Sequence, residues 1–315
     1  MQRYIIRRLL MAVVLLLFLS LAVFILLRVS PGDPAEVVLG ANATPENVAA
    51  LRREMGLDKS YPAQYTEWLL GFFTGDLGRS VLSRAPVWPE FKSRFPISLQ
   101  LMVMTVILTV SLGIPFGIIS ARRRNSIPDY AVRLFAITAL SVPAFWVATL
   151  VLMIPSQLWG YAPPLNRQIS LFDDPWGNLR QFGPASVVLA LGPVAVMMRL
   201  TRSSLLEVLR ADYVRTAFAK GLRNRVVVYR HALRNSLIPV VTVLGLQTAG
   251  LLGGAVIIEQ IFGLRGLGQY IFNAISKKDY TVAQTLVMYT ATIVVLLNLL
   301  VDLLYAVLDP RIRYQ

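Results

Sequence analysis

The chain has 315 residues, of which 56% are hydrophobic and 15% charged, with a formal net charge of +14, one histidine and no cysteine. Soluble domains carry about 25% charged residues, so this composition excludes an ordinary soluble globular protein. The absence of cysteine excludes disulfides and cysteine-held metals, and a single histidine, His231, excludes a multi-histidine metal site.

Six uncharged runs follow one another at 9–27, 97–121, 134–159, 181–198, 235–258 and 280–301. A helix needs about 20 apolar residues to cross the hydrocarbon core, so the expected fold is an all-α integral membrane protein with six transmembrane helices. The first run holds 15 Leu, Ile, Val or Phe residues and ends at Arg28, whose charge can snorkel to the interface. Arg3, Arg7 and Arg8 precede it, as in a secretory leader. The run exceeds the usual 7–15 residues of a leader's apolar region and no A-x-A site follows directly, so a retained anchor is expected.

Residues 28–95 are too long for a turn and mix both charge signs with aromatics. One helix is expected at 44–55, with Thr44 as cap, Pro45 at the first position and Gly56 ending it. A second is expected at 62–73, with Tyr65, Trp68, Leu69 and Phe72 on one face. The segment reads as a small periplasmic cap. It either packs only on its own spans or docks an external partner, with Trp68, Asp76, Arg79 and Trp88 as candidate contacts.

Within the spans, Pro115, Pro143, Pro155 and Pro193 are expected to kink their helices. In the fifth run Gly245, Ala249 and Gly253 recur every four residues, with Gly250 and Gly254 beside them. Small residues at this spacing suit close helix packing or a sliding pathway wall. Gln247, Gln284 and Asn298 fit either a wet pathway or interhelical hydrogen bonds. Glu259 and Asp302 lie near span ends, where structural pairing is the expectation.

Between the fourth and fifth runs lies a basic segment from Arg210 to Pro239. Asp212 is expected to cap a short helix ending at Ala219, with Gly221 left-handed after it. Tyr213, Ala217 and Phe218 would form one face. From the residues alone, this helix either rests on lipid headgroups or meets a partner protein.

If the amino terminus is cytoplasmic, inside segments carry 18 basic and five acidic residues, and outside segments 13 and 12. That asymmetry follows the positive-inside rule and places both termini in the cytoplasm. The basic excess adjoins apolar spans, where anionic lipid attracts it, and no base-reading module accompanies it. No G-x-x-x-x-G-K-[ST], H-E-x-x-H or G-x-S-x-G pattern occurs, so nucleotide hydrolysis is not expected in this chain.

The segment Arg215-Thr216-Ala217, three residues, then Gly221 resembles the EAA loop of ABC importer permeases. It departs from that loop in two places: Arg215 replaces the leading Glu, and Arg234 stands where the motif has proline, with Pro239 following. The form D-Y-x-R-T-A-x-A-K-G-L followed by H-A-L-R-N-x-x-x-P is similar to that of the B-type dipeptide/oligopeptide permeases. Further matching tracts are Gly32-Asp33-Pro34, Gly75-Asp76-Leu77-Gly78-Arg79-Ser80, Ser141-Val142-Pro143-Ala144-Phe145-Trp146, Gly253 to Glu259, and Asn298 to Arg313.

The resemblance implies a cytoplasmic docking helix carrying Asp212, Tyr213, Arg215, Thr216, Ala217, Phe218 and Gly221. It divides the chain into a first span (1–29), a cap (30–95) and a five-helix core (96–315) with the loop at 211–239. It implies four partner subunits: a second, related permease, two ATPases and a binding protein that delivers the peptide. This chain holds no cofactor, and ATP and magnesium belong to the ATPases. Nickel complexes or glutathione are alternative cargoes of the same branch. A self-sufficient secondary carrier is the other class, but no strong mid-span carboxylate accompanies it.

Overall fold

A computed structural model describes residues 2–29, 32–161 and 169–308. The Asp309 to Arg313 end of the terminal tract and the side chains of Arg3 and Asp302 lie outside the described residues. Regular structure among the described residues is helical. Five helices are long and apolar enough to cross a membrane, and a bent pair brings the number to six if it counts as one span. The chain divides into two compact units, 1–98 with 265–299, and 99–264 with 300–315.

The first unit begins with α1 (Gln2–Val29), whose most apolar window is only 11% buried. Leu10, Val14, Phe18 and Leu26 are all more than 60% exposed, the surface expected of a helix sheathed in lipid. Then follow α2 (Pro34–Leu39), a 3-10 turn (Gly40–Asn42), α3 (Pro45–Glu54) and α4 (Tyr61–Thr74). Asp33 caps α2 through the Ala35 amide at 2.9 Å and pairs with Arg52 at 3.2 Å. Thr44 caps α3 by accepting the Asn47 amide, and Gly56 is left-handed at φ +66°, both as expected.

On α4 the expected aromatic face forms. Tyr65 stands 5.4 Å from Phe24, Trp68 6.3 Å from Phe72, and Phe72 4.8 Å from Tyr289. Leu77, Val87, Phe91, Leu267, Val282, Ala283 and Leu286 make the unit's core, contributed by the start of α5 (Val87–Arg122), α12 (Leu267–Ser276) and α13 (Tyr280–Leu308). Asp279 staples it: the Ser80 hydroxyl and the Val81 and Val282 amides all donate to its carboxylate. Beside this core, burial and then the Glu90 carboxylate push the Tyr270 phenol up to about 12, so it stays protonated at neutral pH.

The second unit holds the rest of α5, α6 (Ile127–Ser141), α7 (Ala144–Trp159), α8 (Pro175–Val208), α9 (Asp212–Ala219), α10 (Asn224–Val226), a π-helical segment (Val227–Ala232) and α11 (Leu233–Ile261). α8 is its axis, packing on α6, α7 and α11, with 61% of its apolar window buried. α5 approaches α8 at two glycines one turn apart. A Cβ at Gly113 would lie 2.6 Å from Met197 Cβ, and one at Gly117 2.8 Å from the Met198 carbonyl oxygen. Only glycine fits at that separation.

The expected span at 134–159 is a bent pair, not one continuous helix. α6 and α7 meet at 99° across Val142 and Pro143. Pro143 has no N–H to continue the helix and disfavours a helical conformation at Val142, which is extended. The proline therefore breaks the element instead of kinking it. By contrast, Pro155 and Pro193 sit inside continuous helices.

Candidate functional site

The Arg210 to Pro239 segment forms a short helix braced on one side and open on the other. Ala211 is extended and is the cap position, with no side-chain cap bond. Asp212 therefore occupies the first helical turn, not the cap as expected. Its carboxylate still suits the positive helix end, and it lies 3.6 Å from Arg215. After α9, Gly221 is left-handed at φ +74°, as the sequence implied, and its amide returns to the Phe218 carbonyl at 2.9 Å.

The helix faces divide differently from expectation. Val214 and Ala217, three residues apart, point inward onto Ile118, Ala121, Leu205, Val227 and Ala232. Ala217 is thus a bracing residue 9% exposed, while Tyr213 and Phe218 are 45% and 44% exposed. Asp212, Arg215, Thr216 and Gly221 are exposed as well. A β-carbon at Gly221 would meet nothing within 4 Å, so backbone conformation, not space within the chain, demands glycine there.

Two polar ties join this helix end to the long helices. Asn235, near the start of α11, donates its side-chain amide to the Tyr213 hydroxyl at 2.8 Å. Arg122, at the end of α5, donates to the Tyr229 hydroxyl at 3.1 Å and lies 5.5 Å from that ring. A recess of 530 Å³ lies beside α9, lined in part by Ile119, Arg122, Arg123, Phe218, Asn224 and Val228. Among the described residues no cluster of three His, Asp or Glu could hold a metal. The arrangement is a short helix with one exposed face, seated on a packed base.

The glycine stripe of α11 does not form one uniform seam. Gly245 closes on Val301, where an added β-carbon would lie 2.3 Å away, and Ala249 is 4% exposed. Gly250 and Gly253 face open space, and Gly254 lies against Leu189 at ordinary contact distance. Gln247 belongs to the second unit, Gln284 and Asn298 to the first. Each has one buried amide atom without a hydrogen-bond partner: Gln247 Oε1, Gln284 Nε2 and Asn298 Oδ1. Glu259, near the end of α11, is fully buried. Of the cap candidates, Trp68 is half-buried in the aromatic row, while Asp76, Arg79 and Trp88 are exposed. Trp88 stacks on Phe91 at 5.5 Å and Asp76 accepts the Gly78 amide at 2.9 Å.

Sequence reasoning missed a buried ion pair. Asp129, in the first turn of α6, is fully buried and accepts Arg202 Nε at 2.8 Å and Nη2 at 3.0 Å. The Ser120 hydroxyl and the Asn125 amide complete its shell. The available signal was Ser126-Ile127-Pro128-Asp129, a helix start that places an acid in the first turn.

Comparison with known proteins gives the family. Residues 113–314 match the family "Binding-protein-dependent transport system inner membrane component", and residues 1–102 match its N-terminal companion. The chain is 40% identical to the dipeptide transport system permease protein DppB of Escherichia coli and 39% identical to its counterpart in Alkalihalophilus pseudofirmus, covering all of both chains in each case. It is also 39% identical, at full coverage, to a di/tripeptide permease of Pseudomonas aeruginosa. The inward-facing MetNI methionine ABC transporter shares the fold, with a TM-score of 0.56 at 17% identity over 70% of this chain and 96% of that one. This chain therefore belongs to the binding-protein-dependent inner-membrane permeases, as a multi-pass membrane component of an ABC transporter.

Proposed function

We propose that this chain forms half of the membrane pathway of an ATP-driven importer for dipeptides or short oligopeptides. A second, related permease supplies the other half, two ATPase subunits bind ATP and magnesium, and a substrate-binding protein delivers the peptide to the cap side. The dipeptide and di/tripeptide permeases that match at about 40% identity over full length support this cargo. The observation that carries the mechanism is the seating of α9: Val214 and Ala217 locked into the bundle, Tyr213 and Phe218 left outside.

In this reading α9 lies on the cytoplasmic side and docks into the ATPase through Tyr213, Phe218 and the exposed polar residues Asp212, Arg215 and Thr216. Closure of the ATPase pair moves α9 as a rigid body. Its packed base and the Tyr213–Asn235 bond pass that movement to α11, whose open Gly250 and Gly253 face the pathway. Moving a gate from 1:99 to 99:1 takes about 5.5 kcal/mol of differential binding. The chain has no phosphate-binding loop to extract that from ATP, so its partners supply it.

Reconstitution tests the reading. Liposomes containing this chain alone should accumulate no labelled dipeptide. Liposomes containing it together with the second permease, both ATPases and the binding protein should accumulate the dipeptide with ATP present. Uptake by the lone chain would identify a self-sufficient carrier.

A further inference from the structure

Five arginines line one cavity of 680 Å³ between α6 and α8, at the end of the second unit that carries α9: Arg124, Arg133, Arg199, Arg202 and Arg210. Arg202 is committed to the buried Asp129. The other four are exposed, and among the described residues none of them pairs with a carboxylate; Arg133 lies 5.7 Å from the Tyr130 ring. Among the described residues no carboxylate lines the cavity, Asp129 is held by Arg202, and four further arginines line the wall outside any ion pair.

The cavity is not a polar basin. Val132, Ala136, Ile137, Leu140, Met198 and Leu206 supply its apolar wall. Along α6 that wall continues onto an outward stripe in which Leu134 is 66%, Ile137 63% and Leu140 43% exposed. A guanidinium fork matches a phosphate group bidentately, but free phosphate would leave the apolar wall wet. One ligand chemistry satisfies both halves: a phosphate headgroup carried on acyl chains.

We infer that this cavity is a binding site for an acidic phospholipid, with Arg199, Arg210, Arg124 and Arg133 holding the headgroup phosphate and the α6 stripe taking an acyl chain. The site lies where α8 turns toward α9, so a bound lipid anchors the base of the lever to the leaflet. Each basic residue near an anionic surface contributes enough that removing two weakens binding about thirtyfold.

The test uses the complete transporter in vesicles, with phosphatidylglycerol bearing a photoactivatable acyl chain, and mapping of the labelled peptides. Label should appear in residues 134–141 of α6 and in 198–210, the end of α8 and the two residues after it. Unlabelled phosphatidylglycerol should compete it away, whereas inorganic phosphate should not, and phosphatidylcholine with the same photoactivatable chain should label these peptides far less. The double variant Arg199→Gln/Arg210→Gln should lower the yield about thirtyfold, while Arg223→Gln/Arg225→Gln, outside the cavity, should leave it unchanged. Four results would each overturn the site: no label in these peptides, equal label from phosphatidylcholine, loss of label to inorganic phosphate alone, or undiminished label in the Arg199/Arg210 variant. The competition arms decide the matter in the wild-type protein even where the double variant fails to assemble.

Discussion

A methyl group means opposite things at Gly117 and at Gly192. At Gly117 it would press on the Met198 carbonyl oxygen at 2.8 Å and on Thr201 Cβ at 2.6 Å, and backbone cannot rotate away. At Gly192 it would meet nothing within 4 Å on the same α8. Gly117→Ala should cost about 1–3 kcal/mol through overpacking. Gly192→Ala should be neutral or stabilise by up to about 1 kcal/mol, because alanine loses less backbone entropy. Thermal unfolding of the purified subunit measures both, and equal shifts would refute the close α5–α8 approach. The Asp129–Arg202 pair obeys a similar asymmetry. Arg202→Ala strands a fully buried carboxylate and should cost about 3–5 kcal/mol, whereas Asp129→Asn with Arg202→Met should cost much less. A double variant no more stable than Arg202→Ala alone would show that the charge is satisfied elsewhere.

At the scale of the element, the proposed lever α9 ends at a backbone conformation, the left-handed Gly221. Gly221→Asp places a side chain where φ is +74°, in open space within the chain. The subunit should therefore insert and fold, yet the end of α9 should be redirected and carry a charge toward the docking partner. The expected outcome is membrane insertion equal to wild type, with peptide uptake reduced at least about tenfold and ATP hydrolysis no longer stimulated by loaded binding protein. Asn and Asp both tolerate the left-handed region better than other side chains and differ here in charge, so Gly221→Asn should retain more uptake than Gly221→Asp; the reverse order would reject the role of the added charge.

This element also marks how far the sequence is legible. The spacing from Asp212 to Gly221 sufficed to place the helix and its stop, because both depend on local chemistry. It did not reveal that Ala217 faces inward, since that follows from the packing of α9 on Leu205 of α8 and on Ile118 of α5, about a hundred residues earlier. Nor did it reveal the π-helical segment Val227–Ala232, because no side-chain pattern distinguishes those turns. The α6–α7 break was half-legible: Pro143 announced a disturbance, but its 99° angle is set by tertiary packing. The long spans were the plainest, since apolar length alone decides them, whereas the close approach at Gly113 and Gly117 depends on Met197, Met198 and Thr201, some eighty residues further along the chain.

At the scale of the whole molecule, charge assigns the sides of the membrane. The segments at the two termini, the one between α5 and α6 and the one that carries α9 hold 18 basic against five acidic residues, and the remaining segments hold 13 against 12. Lysine and arginine near span ends favour the cytoplasmic face, so both termini and α9 should face the cytoplasm and the α2–α4 cap the other side. The absence of cysteine makes this directly measurable, because any introduced thiol is the only one in the chain. Lys220 and Asp58 are both exposed, the first beside α9 and the second between α3 and α4. In intact inner-membrane spheroplasts a membrane-impermeant maleimide should label Asp58→Cys at once and Lys220→Cys only after permeabilisation. In inverted vesicles the order should reverse. Labelling of Lys220→Cys from outside would turn the lever away from any cytoplasmic ATPase, and the proposed drive for transport would lose its point of attachment.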